Sequence, residues 1–237
     1  MSDFILSTDF AIENKKEPVT VQIYRFLKQS IIECRLMPGD LLSENNIASC
    51  FKQKLSRQPV REAMIRLNEQ GFIIVNPKKA TCVAPISKSK ILKGIDVRIA
   101  LEGQLIRKAA TQISENQIKD LEHILFEQKR AGEGYALRDL FFLDDKFHEL
   151  ILDASSVDRA WPIVESIKNN MDRVRYISLE NDIVPIDNTV NSHEEILQAL
   201  KEHDADKCEK FMTSHIKELG YDLLKTIENS NKKWFCE

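Results

Sequence analysis

The sequence predicts a mainly α-helical protein in two parts, a small module of three helices and a hairpin followed by a larger all-helical bundle. Three observations carry that prediction. The chain has 237 residues, more than a single domain ordinarily needs. Only seven glycines and seven prolines are present, too few for a turn-rich β fold, while 43% hydrophobic residues suffice for a sizeable core. Apolar residues also recur at helical spacing along most of the chain, interrupted by one β-prone stretch after Gly71.

Residues 1–18 are polar with isolated apolar positions and end at Pro18, and they read as an N-terminal arm. Val19, Ile23, Phe26, Leu27 and Ile31 then share one face of a first helix, which the Pro38-Gly39 turn stops. Ser43 is placed to cap a second helix. The stretch SRQPVREAM, residues 56–64, sets Arg57 and Arg61 one helical turn apart with a proline between them. If Ser56 is the N-cap, Pro59 falls in the first turn, where the ladder needs no N–H, so the proline marks a helix start. Val60, Ala63, Met64 and Leu67 form the apolar face of this third helix, and Arg57, Gln58, Arg61, Glu62, Ile65 and Arg66 the other; Gly71 ends it. FIIVNPKKATCVAP follows as two β-prone runs around a tip carrying Lys78 and Lys79. Helix, helix, basic helix and hairpin is the order of a winged helix-turn-helix, here over 19–84.

Charge is distributed to match. The net charge is −3, yet residues 1–86 hold twelve basic against nine acidic side chains and the remainder holds 22 against 28. Residues 51–79 alone carry seven basic and two acidic side chains. A basic patch on an acidic protein suits a polyanion-binding module, although a solvated charged face would look the same by charge alone. Five scattered cysteines with no C-x-x-C spacing argue for a reducing compartment and against a zinc ribbon or disulfide scaffold. With no apolar run near 18 residues and no basic region ahead of an apolar one at the N-terminus, a soluble, cytoplasmic protein is expected.

Residues 85–90 are the expected linker, and 91–230 the helical domain, ending in a short tail at 231–237. Six helical segments are predicted near 88–112, 115–131, 135–153, 158–180, 189–202 and 205–229. Ser114, with Gln117 three residues on, is a capping signature. The chain has five histidines. Asp144 and His148 lie at i, i+4 on one helix, His193 opens another and His215 sits on the last; His123 and His203 lack such partners and read as surface residues. One carboxylate and three imidazoles from three helices could converge in a bundle on zinc, nickel, manganese or iron; by spacing alone the signal is weak, since a single D-x-x-x-H on a helix is more often an unrelated surface or core pair. No H-E-x-x-H, G-x-S-x-G or phosphate-cradling glycine loop accompanies them, so no catalytic residue is identified.

Both halves resemble one family. IYRFLKQSIIECRLMPGDLLSENNIA and LSRQPVREAMIRLNEQGFIIV, with the P-G turn, L-x-E, S-R-x-P-V-R-E-A and L-x-x-x-G in order, are similar to the GntR-type winged helix-turn-helix over about 20–84. VRIALEGQLIRKAA, DDKFHEL, SHEEILQAL and MTSHI resemble the FCD domain of its FadR subgroup over about 88–230. The resemblance implies a bacterial transcriptional regulator, not an enzyme, whose metal ligands are Asp144, His148, His193 and His215, with a small carboxylic acid bound over the metal. Arg98 is the candidate counter-ion for that acid, a surface Arg98–Glu102 pair being the competing reading, and Arg173 and Arg175 are alternatives. It also implies a homodimer on a pseudo-palindromic DNA operator. Arg57 and Arg61 then contact bases or phosphate, Ser56 and Gln58 the phosphate at the helix start, and Lys78 and Lys79 the backbone. A metal-dependent enzyme acting on a small carboxylic acid, with an accessory basic domain, is the alternative. Three departures from the family pattern stand out. FKQKLSR lengthens the turn before the third helix, Ala80 stands where the wing has an R-G pair, and Ser156-Val157 replaces a G-N after the aspartate–histidine helix.

Overall fold

The computed structural model describes residues 12, 16–52, 55–75, 80–134, 136–180 and 186–237. In chain order its elements are α1 (Val19–Ile32), β1 (Leu41–Leu42), α2 (Glu44–Ser49), α3 (Arg57–Glu69), β2 (Ile73–Ile74), β3 (Thr81–Val83), β4 (Ile86–Ser87), α4 (Lys88–Ala110), α5 (Glu115–Glu133), α6 (Leu137–Ala154), α7 (Ala160–Glu180), α8 (Ile186–Lys201), α9 (Ala205–Asn229) and β5 (Phe235–Cys236). Two compact units result, residues 1–87 with 231–237, and residues 88–230. Among the described residues no helix is long and apolar enough to cross a membrane, and all five cysteines are free thiols.

In the first unit, α1 buries Ile23, Phe26, Leu27 and Ile31 against α3, which buries Val60, Ala63, Met64 and Leu67 in return. Each large side chain so covered contributes roughly 1.5–3 kcal/mol. Ser43 caps α2 by accepting from the Asn46 N–H. Ser56 sits at the N-cap of α3 in an extended conformation, but its side chain makes no capping hydrogen bond, so the expected cap is positional only. Pro59 is the third residue of α3, where its missing N–H costs no intrahelical bond. A hairpin was expected after Gly71; the sheet has three antiparallel strands in the order β1-β3-β2, with Leu42 opposite Thr81 and Ile73 opposite Val83. The Leu41–Leu42 strand is too short to leave a period in the sequence. Gly39 makes the turn into it at φ +91°, a conformation suited to glycine.

The stretch expected as a linker contains β4, which runs straight into α4 and pairs in parallel with β5 of the C-terminal tail, Ile86 opposite Phe235 and Ser87 opposite Cys236. The tail therefore belongs to the first unit. The expected arm lies almost wholly outside the described residues, as do Gln53 and Lys54 of the lengthened turn and Lys78 and Lys79 of the wing.

The second unit is a bundle in which α4 packs along α9 and α5 on α6. At Gly220 a Cβ would meet Ile95 Cδ1 at 2.9 Å, so this glycine sets how closely α9 approaches α4. Ser114 and Gln117 form a reciprocal capping box at the start of α5. Leu105, Leu152, Ala160 and Val164 form a core cluster joining α4, α6 and α7. Beside it the buried Lys168 pairs with Asp172 on its own helix at 2.7 Å and with Asp145 of α6 at 2.8 Å. The helix α6 ends with Ser156 at φ +54°, the position where the family pattern carries glycine.

Candidate functional site

Two surfaces hold the residues singled out from the sequence. On α3, Ser56, Arg57, Gln58 and Arg61 are all exposed, so the polar face read from the periodicity is the solvent face. Arg61 donates through Nε to Glu44 of α2 at 2.8 Å, which fixes its direction across the helix-turn-helix. Arg66 instead lies over the Tyr24 ring, 4.1 Å from its centroid, and braces α3 against α1. Glu62 accepts from Thr20 and from Gln58.

The second surface is internal. Asp144 and His148 of α6, His193 of α8 and His215 of α9 are all buried, and one ligand atom from each lies within 4.8 Å of the others. The helix α6 turns two of these polar residues inward and α8 and α9 one each, and Phe147 stacks on the His193 ring at 4.2 Å between centroids. Asp144 Oδ1, His148 Nε2 and His193 Nε2 are buried without a hydrogen-bond partner. Leaving such atoms unpaired costs about 1–3 kcal/mol each, so three of them facing one point fit a ligated cation. Nitrogen and carboxylate donors of this kind suit zinc, nickel, manganese or iron.

The surrounding groups bear on each ligand. Arg175 of α7 donates to Asp144 Oδ2 at 2.8 Å and lies over the Phe141 ring. Burial alone would raise the Asp144 carboxyl, yet the Arg175 guanidinium beside it holds it well below its ordinary range. Burial pushes His193 down to about 3, with Asp144 opposing, and pushes His215 in the same direction. Both imidazoles are thus neutral near pH 7, the form that can ligate. His193 Nδ1 is 2.9 Å from Gln128 Oε1, and His215 Nδ1 is 2.7 Å from Ser192 Oγ. Glu102 Oε2 approaches His148 Nδ1 at 2.8 Å, a charge contact that falls outside in-line hydrogen-bond geometry.

Arg98 does pair with Glu102, as one reading held, but the pair is buried and not on the surface: both lie on the buried face of α4, and Arg98 is 2% exposed. Its Nε and Nη2 both donate to the Glu102 carboxylate. Burial would raise that carboxyl, but Arg98 first and then His148 hold it down at about 2. Arg173 is buried on α7, two residues before Arg175. His123 and His203 are both exposed, and His203 donates from Nδ1 to the Ala110 carbonyl oxygen at 2.7 Å. Gln128 and Ser192 escaped the sequence reading. Ser192 adjoins His193 and was visible in that sense; Gln128, on a helix with no ligand, left no signal.

Known proteins agree with this division. Residues 19–83 match the family of bacterial regulatory proteins called gntR, and residues 94–218 match the FCD domain. The HTH-type transcriptional repressor RspR of Escherichia coli (strain K12) is 38% identical over 94% of this chain and 96% of its own length. The Nta operon transcriptional regulator of Aminobacter aminovorans is 25% identical over 81% and 89%. The solved structure of E. coli McbR/YncC shares the fold, with a TM-score of 0.75 at 22% identity over 88% of this chain and 98% of that one. These relatives are regulators and not enzymes. With a gntR helix-turn-helix ahead of an FCD domain, the chain belongs to the GntR family and is a DNA-binding transcriptional regulator.

Proposed function

We propose that this regulator holds one divalent transition-metal ion on Asp144, His148, His193 and His215, binds a small carboxylic acid beside it, and answers that acid with a change in operator affinity. The observation that carries the reading is the set of three buried, unpartnered ligand atoms on Asp144, His148 and His193. When bound, such an ion supplies open coordination positions that attract an anionic oxygen. Charge supports an acid as the ligand. Arg98 is matched by Glu102 and Arg175 by Asp144, so two added positive charges are left without a counter-charge among these contacts.

Of the three arginine candidates, Arg175 is the best placed to meet the acid. Its contacts are one N–H to Asp144 and the face of Phe141, which leaves guanidinium donors uncommitted. Arg98 is already committed to Glu102 through two nitrogens. Arg173 is the remaining candidate on the same helix. On the DNA side, Arg57 and Arg61 are read as contacting bases or phosphate, Ser56 and Gln58 as holding the helix start on phosphate, and Lys78 and Lys79 as touching the backbone. One winged module spans only a few base pairs, so the active form is a homodimer on a pseudo-palindromic operator. A coupling of about 1–3 kcal/mol between acid and DNA is the magnitude such regulators need.

The test begins with chelator-stripped protein titrated with Zn²⁺, Ni²⁺ or Mn²⁺. One ion per chain, and loss of binding in His193→Ala, is expected. A His193→Ala variant that binds as tightly as the parent chain overturns the site. A panel of small carboxylic acids is then screened for release of DNA drawn from upstream of the gene. Acid affinity unchanged by chelation would leave the ion a purely structural role.

A further inference from the structure

An imidazole ligates through whichever ring nitrogen carries no proton, so the group at the other nitrogen decides which lone pair is offered. In this bundle the Nδ1 atoms of His148, His193 and His215 each face a side chain that is not itself a ligand. Gln128 turns its amide oxygen to His193 Nδ1, and an amide oxygen only accepts, so the proton lies on Nδ1. Ser192 donates its hydroxyl proton to the Thr189 carbonyl at 2.9 Å, which leaves its oxygen to accept from His215 Nδ1. Glu102, an acceptor with both oxygens already drawn to Arg98, lies 2.8 Å from His148 Nδ1.

We propose that Gln128 and Ser192 are positioning residues that hold His193 and His215 as Nδ1–H tautomers, so that both Nε2 lone pairs are offered to the centre beside Asp144 Oδ1, while Arg175 keeps Asp144 Oδ2 occupied. The inference rests on the metal reading above and adds to it which ring atom of His193 and His215 is presented and which side chain ensures it. The three acceptors differ in kind. Glu102 sets a charge beside His148 Nδ1, whereas Gln128 and Ser192 fix orientation without charge. Three elements that supply no more than one ligand each are thereby tied to the centre: α4 through Glu102, α5 through Gln128 and α8 through Ser192.

The tautomers are read directly in the full chain, stripped of metal and labelled with ¹⁵N-histidine, by long-range proton–nitrogen correlation. Protonated Nδ1 and pyridine-like Nε2 on His193 and His215 are expected; protonated Nε2 on either overturns the assignment. Gln128→Leu should lose the His193 preference and weaken Zn²⁺ binding 10–100-fold in competition with a chromophoric chelator. Gln128→Glu, which still accepts, should restore both. Ser192→Ala, the loss of one hydroxyl, gives a second variant that leaves packing nearly intact, and it should shift the His215 tautomer and alter the visible bands of the Co²⁺ form. If the parent chain binds neither Zn²⁺ nor Co²⁺, the metal reading falls and this inference with it. If it binds both, and the two variants leave affinity within twofold and the tautomers unchanged, the positioning role alone is wrong.

Discussion

Acidifying the metal-free protein should unfold it well above the pH at which carboxylates titrate. His193 is buried and pushed down to about 3, against 6.5 for an ordinary histidine. Between those values the unfolded chain binds a proton that the native state refuses, so stability rises with pH and is lost as pH falls from about 6.5 toward 3. Integrating from pH 7 to pH 5 gives a loss of about 2 kcal/mol for one such group. His215 is lowered by burial in the same sense and adds to the loss. Glu102, held at about 2, stabilises the fold fully above its unfolded value near 4.5 and loses that stabilisation only as pH falls below it, in a separate, lower window. Urea unfolding in the presence of a chelator, followed by helical circular dichroism at half-unit steps from pH 7.5 to 5, measures the slope directly. His193→Gln should flatten it by about one proton equivalent. A midpoint independent of pH across this range would refute the reasoning, because it would mean that both imidazoles protonate as easily folded as unfolded.

Other outcomes follow from single contacts. Arg61→Ala should weaken specific DNA binding by roughly 1–3 kcal/mol in an anisotropy titration, while Arg66→Ala, which loses only a brace on Tyr24, should cost stability more than affinity. Ser156→Gly should raise the unfolding free energy by roughly 1 kcal/mol, since Ser156 holds φ +54° and Gln112 keeps its bond to the Ala154 carbonyl; urea midpoints decide it. A chain ending at Ser230 loses the β4–β5 ladder over Ile86, so faster amide exchange at Ile86 and Ser87 and a loss of roughly 1–2 kcal/mol are expected.

The residues that sequence pattern located and those it missed differ for a physical reason. Val60, Ala63, Met64 and Leu67 announce α3 because a buried helix face repeats along the chain, and Ser114 announces α5 because a cap is satisfied within three residues. Asp144 and His148 share a helix face and were legible as a pair, but their meeting with His193 and His215 depends on how three helices pack, which no local period encodes. Family resemblance supplied that step. Neither route reached Gln128, because a glutamine at a helix position costs little and looks like surface until the fold buries it completely and sets its amide against His193. The same logic separates Arg98 from Arg175. At i, i+4 from Glu102, Arg98 invites a local reading, and the local pair exists. Arg175 reaches Asp144 across 31 positions of sequence, so that pairing left no local signal and Arg175 was read only as an alternative to Arg98. A site assembled from separate helices is thus written in the sequence as isolated polar residues on apolar faces. What distinguishes a ligand from its support is which ring nitrogen is already engaged, a property that only tertiary contacts fix.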